Sequence, residues 1–512
     1  MKKSLYVFFF FVLCNANASS YYISPTGSSS ANGTVTSPYN FSTAMGKSLV
    51  AGDSLIFRGG IYSFNSSQSF SKSGTSTKYV HYVAYLFEIP IFDFRTQIYG
   101  SNSRGLNLSG NYMHIKGITV QGAGDNGFYV SGSNNFIDQC TSRWNCDSGF
   151  QLKNGSNNLI MNCDSYENFD YETGGISTPN FGGNADGFAD KQYSNTGTNT
   201  YKGCRSWRNG DDGWDSYQKT GNTVYDSCWC YSMAPATFDM SQNIRFKTDS
   251  ASWFYQFKST NYVMTNYGNG NGFKLGGDYT SNNATLHNCI SVGNKVKGFD
   301  QNNNNGIMTI YNCSSYNNQY NYGFTNSSYG TLIIKNCASL NSKSSNSFGC
   351  KSVTQAYNTW NTGFSCSSSD FASLDYSQML NPRQADGSLP EITLLHLVPT
   401  SGLINSGINV GLPFEGLAPD LGAFEYQPLT AVTQNAENSV KVWYSTNNQA
   451  IHIHGSSLSV EIFGITGNRI FSGNPQDEIL HIPAVDFTNG IYVARVIQPD
   501  GTIINQKFLI IK

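Results

Sequence analysis

Seven cysteines in one phase constrain the folding of this chain more than any other feature. A pattern close to Cys-x-Ser-x-x-Asn begins at Cys140, Cys163 and Cys204 and returns at Cys289, Cys313 and Cys337, with Cys228 in the same phase. The intervals are 23, 41, 24, 61, 24 and 24 residues, so two repeats carry long insertions. About ten residues after each cysteine comes an aromatic: Phe150, Trp214, Phe299, Phe324 and Phe348, with Phe188 and Phe273 in the same role after the insertions. Short β-rich runs such as NNLIMNC and GTLIIKNC, with Asn and Gly at the corners, favour a parallel β-helix. A helical solenoid would need longer amphipathic stretches. The cysteines and aromatics then point into the coil and stack on their counterparts, while the Asn column bonds the turn backbone.

Composition agrees with a large all-β core. Of the 512 residues 14% are aromatic and 12% charged, and the 51 glycines suit a turn-rich architecture. A net charge of -2 gives no reason to expect nucleic acid. Lys2-Lys3, an apolar run from Leu5 to Leu13 and then Ala16-Asn17-Ala18 form a signal peptide over residues 1–18, so the mature protein is expected to be secreted or held at the cell surface. Leu13 stands where lipidation of Cys14 would need a small residue. Removing the leader leaves 11 of 12 cysteines, mostly in the repeat phase, which favours ladder thiols over a disulfide framework. Cys228-x-Cys230 has no matching second pair, which excludes a zinc site of that type. No Ser/His/Asp spacing stands out.

Three segments follow the leader. Residues from about 19 to 80 contain a helix near Phe41 to Leu49 and then DSLIFRGGIY, expected to cap the open end of the coil. The β-helix and its closing segment run to about residue 427, ending in APDLGAFEY, so the whole domain is 19–427. From about 435 to Lys512 the pattern changes to alternating strands such as IHIHG, LSVEIFG and GIYVARV, read as a small C-terminal β-sandwich.

Chemistry concentrates in NADGFADK, NGDDGWDSYQK and GNGNGFKLGG. Aligned on the aromatic, Asp186 and Asp212 both lie two residues before it in neighbouring coils, Asp211 is beside Asp212, and Asp215 lies one residue after. Lys274 also follows its aromatic by one residue, in the next coil, as the vertical neighbour of Asp215. Four clustered carboxylates repel one another unless a cation offsets them, and an all-oxygen set suits calcium better than zinc or copper. The competing account is that DG and DDG are ordinary turns and that Lys274 pairs with Asp215 on the surface. A lysine beside a calcium site suits a uronic acid polymer. Calcium neutralises the carboxylate and acidifies the C5 proton, the lysine removes that proton, and the C4 oxygen leaves by β-elimination.

These three motifs, together with GSLPEITLLHLVPTSGLINSGINVGLPFEGLAPDLGAFEY, resemble polysaccharide lyase family 9, the pectate lyases, over roughly residues 20 to 427. The resemblance implies a right-handed parallel β-helix of about ten coils, Asp186, Asp211, Asp212 and Asp215 as calcium ligands, and Lys274 as the Brønsted base. The stretch from about Tyr231 to Tyr267 departs from the family's usual pattern. The C-terminal segment, with NGIYVARV and a terminal FLIIK, resembles the sorting domains of the type IX secretion route; a carbohydrate-binding or adhesive β-sandwich is its competitor. Lys191, Arg208 and Lys219 flank the acidic motifs as candidate polymer contacts. The expected partners are an acidic plant cell-wall polysaccharide and secretion machinery, and the mature chain is expected as a monomer without a transmembrane segment. Other readings are a lyase or hydrolase on another acidic glycan such as rhamnogalacturonan I, and a non-catalytic glycan binder. A hydrolase would want two opposed acids and no essential lysine.

Overall fold

The computed structural model describes residues 18–86, 88–170, 182–191, 197–239, 261–263, 268–384 and 386–427, then 440–445, 449–454, 459–464, 468–473, 479–498 and 503–510. The expected leader lies outside them apart from Ala18, as does most of the stretch from Tyr231 to Tyr267. The chain divides into two units, Met1–Tyr426 and Gln427–Lys512.

Among the described residues the first unit is built from three parallel sheets of 12, 10 and 10 strands, in which each strand pairs with its counterparts one coil before and after. One coil contributes a strand to each in turn: Phe136–Asp138 to the long sheet, Thr141–Arg143 to what we call the serine sheet, and Phe150–Leu152 to the aromatic sheet. Strands this short form because each corner is turned by one left-handed residue. Gln139, Asn162, Ser227, Asn288, Asn312 and Asn336, each just before a phase cysteine, have φ between 49 and 57°. Asn tolerates that conformation by bonding locally, which explains the recurring NC.

The interior is stacked by type. In the aromatic sheet Phe128, Phe150, Phe188, Trp214, Phe273, Phe299 and Tyr322 are in register, with successive ring centroids 4.5 to 5.1 Å apart. Tyr322 thus takes the place expected for Phe324. The turn before it is one residue shorter, since Ser291 Oγ donates to Gly298 O seven residues on, whereas Ser315 Oγ donates to Asn321 O six residues on. Phe324, two residues further along the strand, faces Phe348. The phase cysteines are buried and all 11 described cysteines are free. The asparagines of the motif form a ladder: Asn145 Nδ2 donates to Asn168 Oδ1 at 2.8 Å and Asn168 Nδ2 to Asn209 Oδ1 at 2.8 Å. A buried amide that gives and receives in this way leaves no corner backbone unpaired.

At the N-terminal end the expected cap is in part already coil. Ser20–Ser28 and Ser54–Phe57 pair in the long sheet, and Gly60–Ser63 starts the serine sheet, because DSLIFRGGIY carries the same inward alternation as later coils. The helix is shorter than expected, Phe41–Met45, and its N-terminus is held by the Asn40 side chain, which accepts from Thr43 N. Phe41 packs against Phe57, Tyr62, Phe64 and Phe92, covering apolar rings at the end of the stack. After the last coil the chain returns over the serine sheet, where Arg205 donates to the carbonyls of Met379 and Asn381 and Arg383 pairs with Asp164 at 2.6 Å.

Among its described residues the second unit has two antiparallel sheets. Lys441–Ser445, Ala450–His454 and Ile479–Pro483 form one; Arg469–Gly473, Ser459–Gly464, Gly490–Ile497 and Ile503–Ile510 form the other. They share a core that includes Ile451, Val460, Ile462, Ala494, Val496 and Ile510. No helix among the described residues is long and apolar enough to cross a membrane.

Candidate active site

Side chains alternate across a strand, so a residue that follows an inward aromatic must point out of the coil. Trp214-Asp215 and Phe273-Lys274 are such pairs on adjacent strands, and Asp215 is the register partner of Lys274. Asp186 and Asp212 sit in the turns that enter the same sheet. Asp186, Asp212 and Asp215 each offer a carboxylate oxygen, and these oxygens all lie within 4.8 Å of one another. The Lys274 ammonium is 3.0 Å from Asp212 Oδ2 and 3.3 Å from Asp215 Oδ1. Lys191 enters the same cluster, 3.0 Å from Asp186 Oδ2 and 3.0 Å from Asp215 Oδ2.

Backbone and polar donors fix the carboxylates. Ser148 Oγ donates to Asp186 Oδ2 at 3.1 Å, and the Asp212 amide donates to Asp186 Oδ1 at 3.2 Å. Asn271 gives Asp212 Oδ1 both its backbone N–H and its side-chain amide, at 2.7 and 2.9 Å. The Tyr217 amide donates to Asp215 Oδ1 at 2.8 Å. Asp211 lies outside the group of three, with its Oδ1 accepting from the Asn269 amide. The glycine of DG has a packing reason that the aspartate lacks: a Cβ at Gly213 would come within 2.4 Å of Cys230 Sγ and 2.5 Å of Gly272 O. Turn and coil stacking account for the glycines, and leave the acids to be explained by chemistry.

The electrostatics are those of a buried set short of positive charge. Burial pushes the Asp186 carboxyl up to about 7, with Asp215 and Asp212 adding to the rise against Lys191 and Lys274. Burial likewise raises Asp211 and Asp212. Burial would raise Asp215 too, but Lys274 and Lys191 more than offset it and hold it below the ordinary carboxylate range. Burial works against the charge on Lys274, yet Asp212, Asp215, Asp211 and Asp186 outweigh it and hold the ammonium well above its usual range. Asp212 Oδ2 is buried with the Lys274 ammonium 3.0 Å away and no other polar donor bonded to it. Four acids against two lysines, an all-oxygen donor set and a span of two metal–oxygen bonds fit a hard divalent cation.

The other two candidate contacts lie elsewhere. Lys219 is completely buried and its ammonium is 3.5 Å from Asp190 Oδ1, with Asn199 Nδ2 donating to the same carboxylate. It is an interior ion pair and does not reach a polymer on the surface. Asp190 is the register partner of the inward Leu152, so it points into the coil and needs an internal counter-charge. Arg208 pairs with Glu167 at 3.4 Å in the corner after the serine sheet. Sequence reasoning passed over Asp300, which follows Phe299 as Lys274 follows Phe273 and is the register partner of Lys274; the same phase rule would have found it.

Known proteins resemble this chain over most of the first unit. A family model described as Pel9A-like, right handed beta helix region, matches residues 21–346. Pectate lyase L of Dickeya chrysanthemi is 36% identical over 79% of this chain and 90% of its own length. A crystal structure of pectate lyase Pel9A superposes with a TM-score of 0.68 at 33% identity, covering 80% of this chain and 97% of that one. A solved rhamnogalacturonan lyase shares the fold, with a TM-score of 0.60 at 24% identity over 75% of this chain and 97% of its own. The chain is a polysaccharide lyase and belongs to the Pel9A-like right-handed β-helix family.

Proposed function

We propose that the protein is a calcium-dependent pectate lyase that cleaves polygalacturonate by β-elimination, with Lys274 as the Brønsted base. The observation that carries this reading is the register of Asp215 with Lys274 beside three converging carboxylates. Its relatives named pectate lyases support it.

Asp186, Asp212 and Asp215 would hold the ion, with Asp211 next to them. A calcium ion held there would supply the positive charge that these carboxylates lack and that the substrate's uronate needs for its C5 proton to become acidic. The chain's own part is positional. Lys274 projects outward from the aromatic sheet, and its free amine takes the C5 proton. The electron pair of that C–H bond forms the C4–C5 double bond as the C4–O bond breaks, its electrons leaving with the oxygen, which takes up one proton from solvent while the amine returns the one it gained, so no water is consumed. With Asp212 and Asp215 paired to it, Lys274 is fully protonated, so its competence as a base requires that those two carboxylates be engaged elsewhere. We further infer that residues 19–427 are the catalytic domain of an exported enzyme and that the unit after Gln427 serves in sorting.

The direct test follows the ultraviolet absorbance of unsaturated product from polygalacturonate, with calcium and with chelator. Product should form only with calcium. Undiminished cleavage in chelator refutes the assignment of the acids.

A further inference from the structure

From Lys274 and Asn271 a cleft of about 340 Å³ extends toward the next coil, and the proposed chemistry uses only its Lys274 end. Its walls include Lys274, Tyr217, Lys297, Asp300 and Asn302. Asp300 is in register with Lys274 on the outer face of the aromatic sheet, so it lies one coil rise, about 4.8 Å, further along. A polymer lying along the coil axis with one sugar at Lys274 therefore brings a neighbouring sugar over Asp300.

The side chains of the cleft are seated by the backbone around them. Lys297 Nζ is 2.7 Å from Asp300 Oδ1, which also accepts from the Asn302 amide at 3.0 Å. The Lys297 stem lies across Gly323, the register partner of Asp300 in the following coil, where a Cβ would come within 2.5 Å of Lys297 Cδ. The Tyr217 ring lies over Gly277 in the same way, with 2.4 Å between a Cβ and Cδ2. Any larger residue at either glycine would displace one wall. Tyr217 is 41% exposed, and the Lys274 ammonium stands 5.9 Å from its ring centroid. The ring is thus seated on Gly277 and beside the proposed base while much of it stays open to solvent.

We propose that this cleft is a sugar subsite adjoining the reaction centre, in which one pyranose of the polymer stacks on Tyr217 while Lys297 and Asp300 bind its hydroxyl groups. The proposal rests on the lyase reading of Lys274. Lys297 and Asp300 cancel each other's charge, so the pair offers donors and acceptors side by side with no net attraction for an ion. That matches hydroxyls, which both give and receive, and a carboxylate placed here would face Asp300. The subsite holds the chain in the frame that presents the next sugar to Lys274.

The test uses Tyr217→Ala, which removes an exposed ring, and Lys297→Met, which keeps the stem over Gly323. With polygalacturonate each variant should raise KM about tenfold, the loss of one good contact, while kcat stays within about threefold of the parent. Calorimetric titration of galacturonate oligosaccharides into Lys274→Ala protein, with and without the second change, should show the same loss of affinity. Parent-like KM and parent-like affinity in both variants overturn the subsite. If the parent forms no unsaturated product, the pectate reading fails on its own. Oligosaccharide titration into the parent and Lys297→Met then still decides the cleft: weaker binding by the variant upholds the subsite, and equal binding rejects it.

Discussion

Lys274 separates the two accounts of the acidic motifs. A lysine paired with aspartate on an open surface is worth at most about 1 kcal/mol, and its loss leaves turnover within a few-fold of the parent. Lys274 is instead 8% exposed and lies against two buried carboxylates. As the base, its replacement in Lys274→Ala should lower turnover by at least about two to four orders of magnitude, with polymer and calcium binding kept. Near-normal turnover of that variant in the absorbance assay would sink the mechanism. Asp186 yields a second expectation. Its folded pKa of about 7 stands above the ordinary 3.8, so between those values the folded state keeps a proton that the unfolded chain has released. Stability of the ion-free protein should therefore fall as pH rises from about 4 to about 7, because the unfolded state binds fewer protons there. Melting temperatures in chelator across that range should show the decline, and Asp186→Asn should flatten it; an identical slope in the variant argues against a buried, protonated Asp186.

Each coil is stabilised by columns that run through its neighbours: rings in the aromatic sheet, thiols behind the first corner and amides behind the second. Between Asn145 and Asn318 the described part of the amide column is interrupted at one coil. Cys230 and Met233 replace the Ser and Asn of the motif, so Asn209 Nδ2 meets Met233 Sδ at 3.8 Å while the Met233 amide donates to Asn294 Oδ1 at 3.0 Å. The interruption falls in the coil that leads into the lysine motif. Inside the coil before it, Lys219, Asp190 and Asn199 form a polar island with the ammonium wholly enclosed. Removing one member of such a pair strands a buried charge, so Lys219→Met should cost about 3 to 5 kcal/mol in chemical denaturation. Lys219→Met combined with Asp190→Leu should recover most of that loss, since an apolar replacement of both partners leaves no charge behind. A rise in KM without a loss of stability in Lys219→Met would return the residue to the substrate side.

At the scale of the molecule, the two long intervals in the cysteine repeat have a common location. Both add their main length at the corner between the serine and aromatic sheets, after Asp164–Tyr166 and after Trp229–Tyr231. The intervening coil, Arg205–Trp207 to Trp214–Asp215, keeps a short corner that carries Asp211 and Asp212. The acids thus lie between two enlarged corners on one edge of the helix. The later insertion leaves through an antiparallel stem in which Thr237–Asp239 pairs with Asn261–Val263. The second unit closes its own apolar core after Gln427. A chain ending at Tyr426 should consequently keep its melting transition and its rate of product formation, while export from the producing cell changes. A truncated protein that folds but cleaves nothing would place the second unit in the catalytic machinery.

The phase of the repeat was open to reading in the amino acids, because a stacked coil repeats its side-chain environments at a constant interval and so leaves a periodic record. That record placed Asp186, Asp212, Asp215 and Lys274 in neighbouring coils before any coordinates, and it located both insertions. It erred where one corner lost a residue, exchanging Tyr322 for Phe324, since a single deletion is smaller than the variation in the repeat itself. Only the tertiary structure decided where long side chains end. Lys191 and Lys219 look alike in the sequence, each near an acidic motif. Yet one lies among the site carboxylates and the other points into the coil to meet Asp190. Periodicity sets which way a Cβ points, whereas the destination of a four-carbon stem depends on which buried charge lies within its reach.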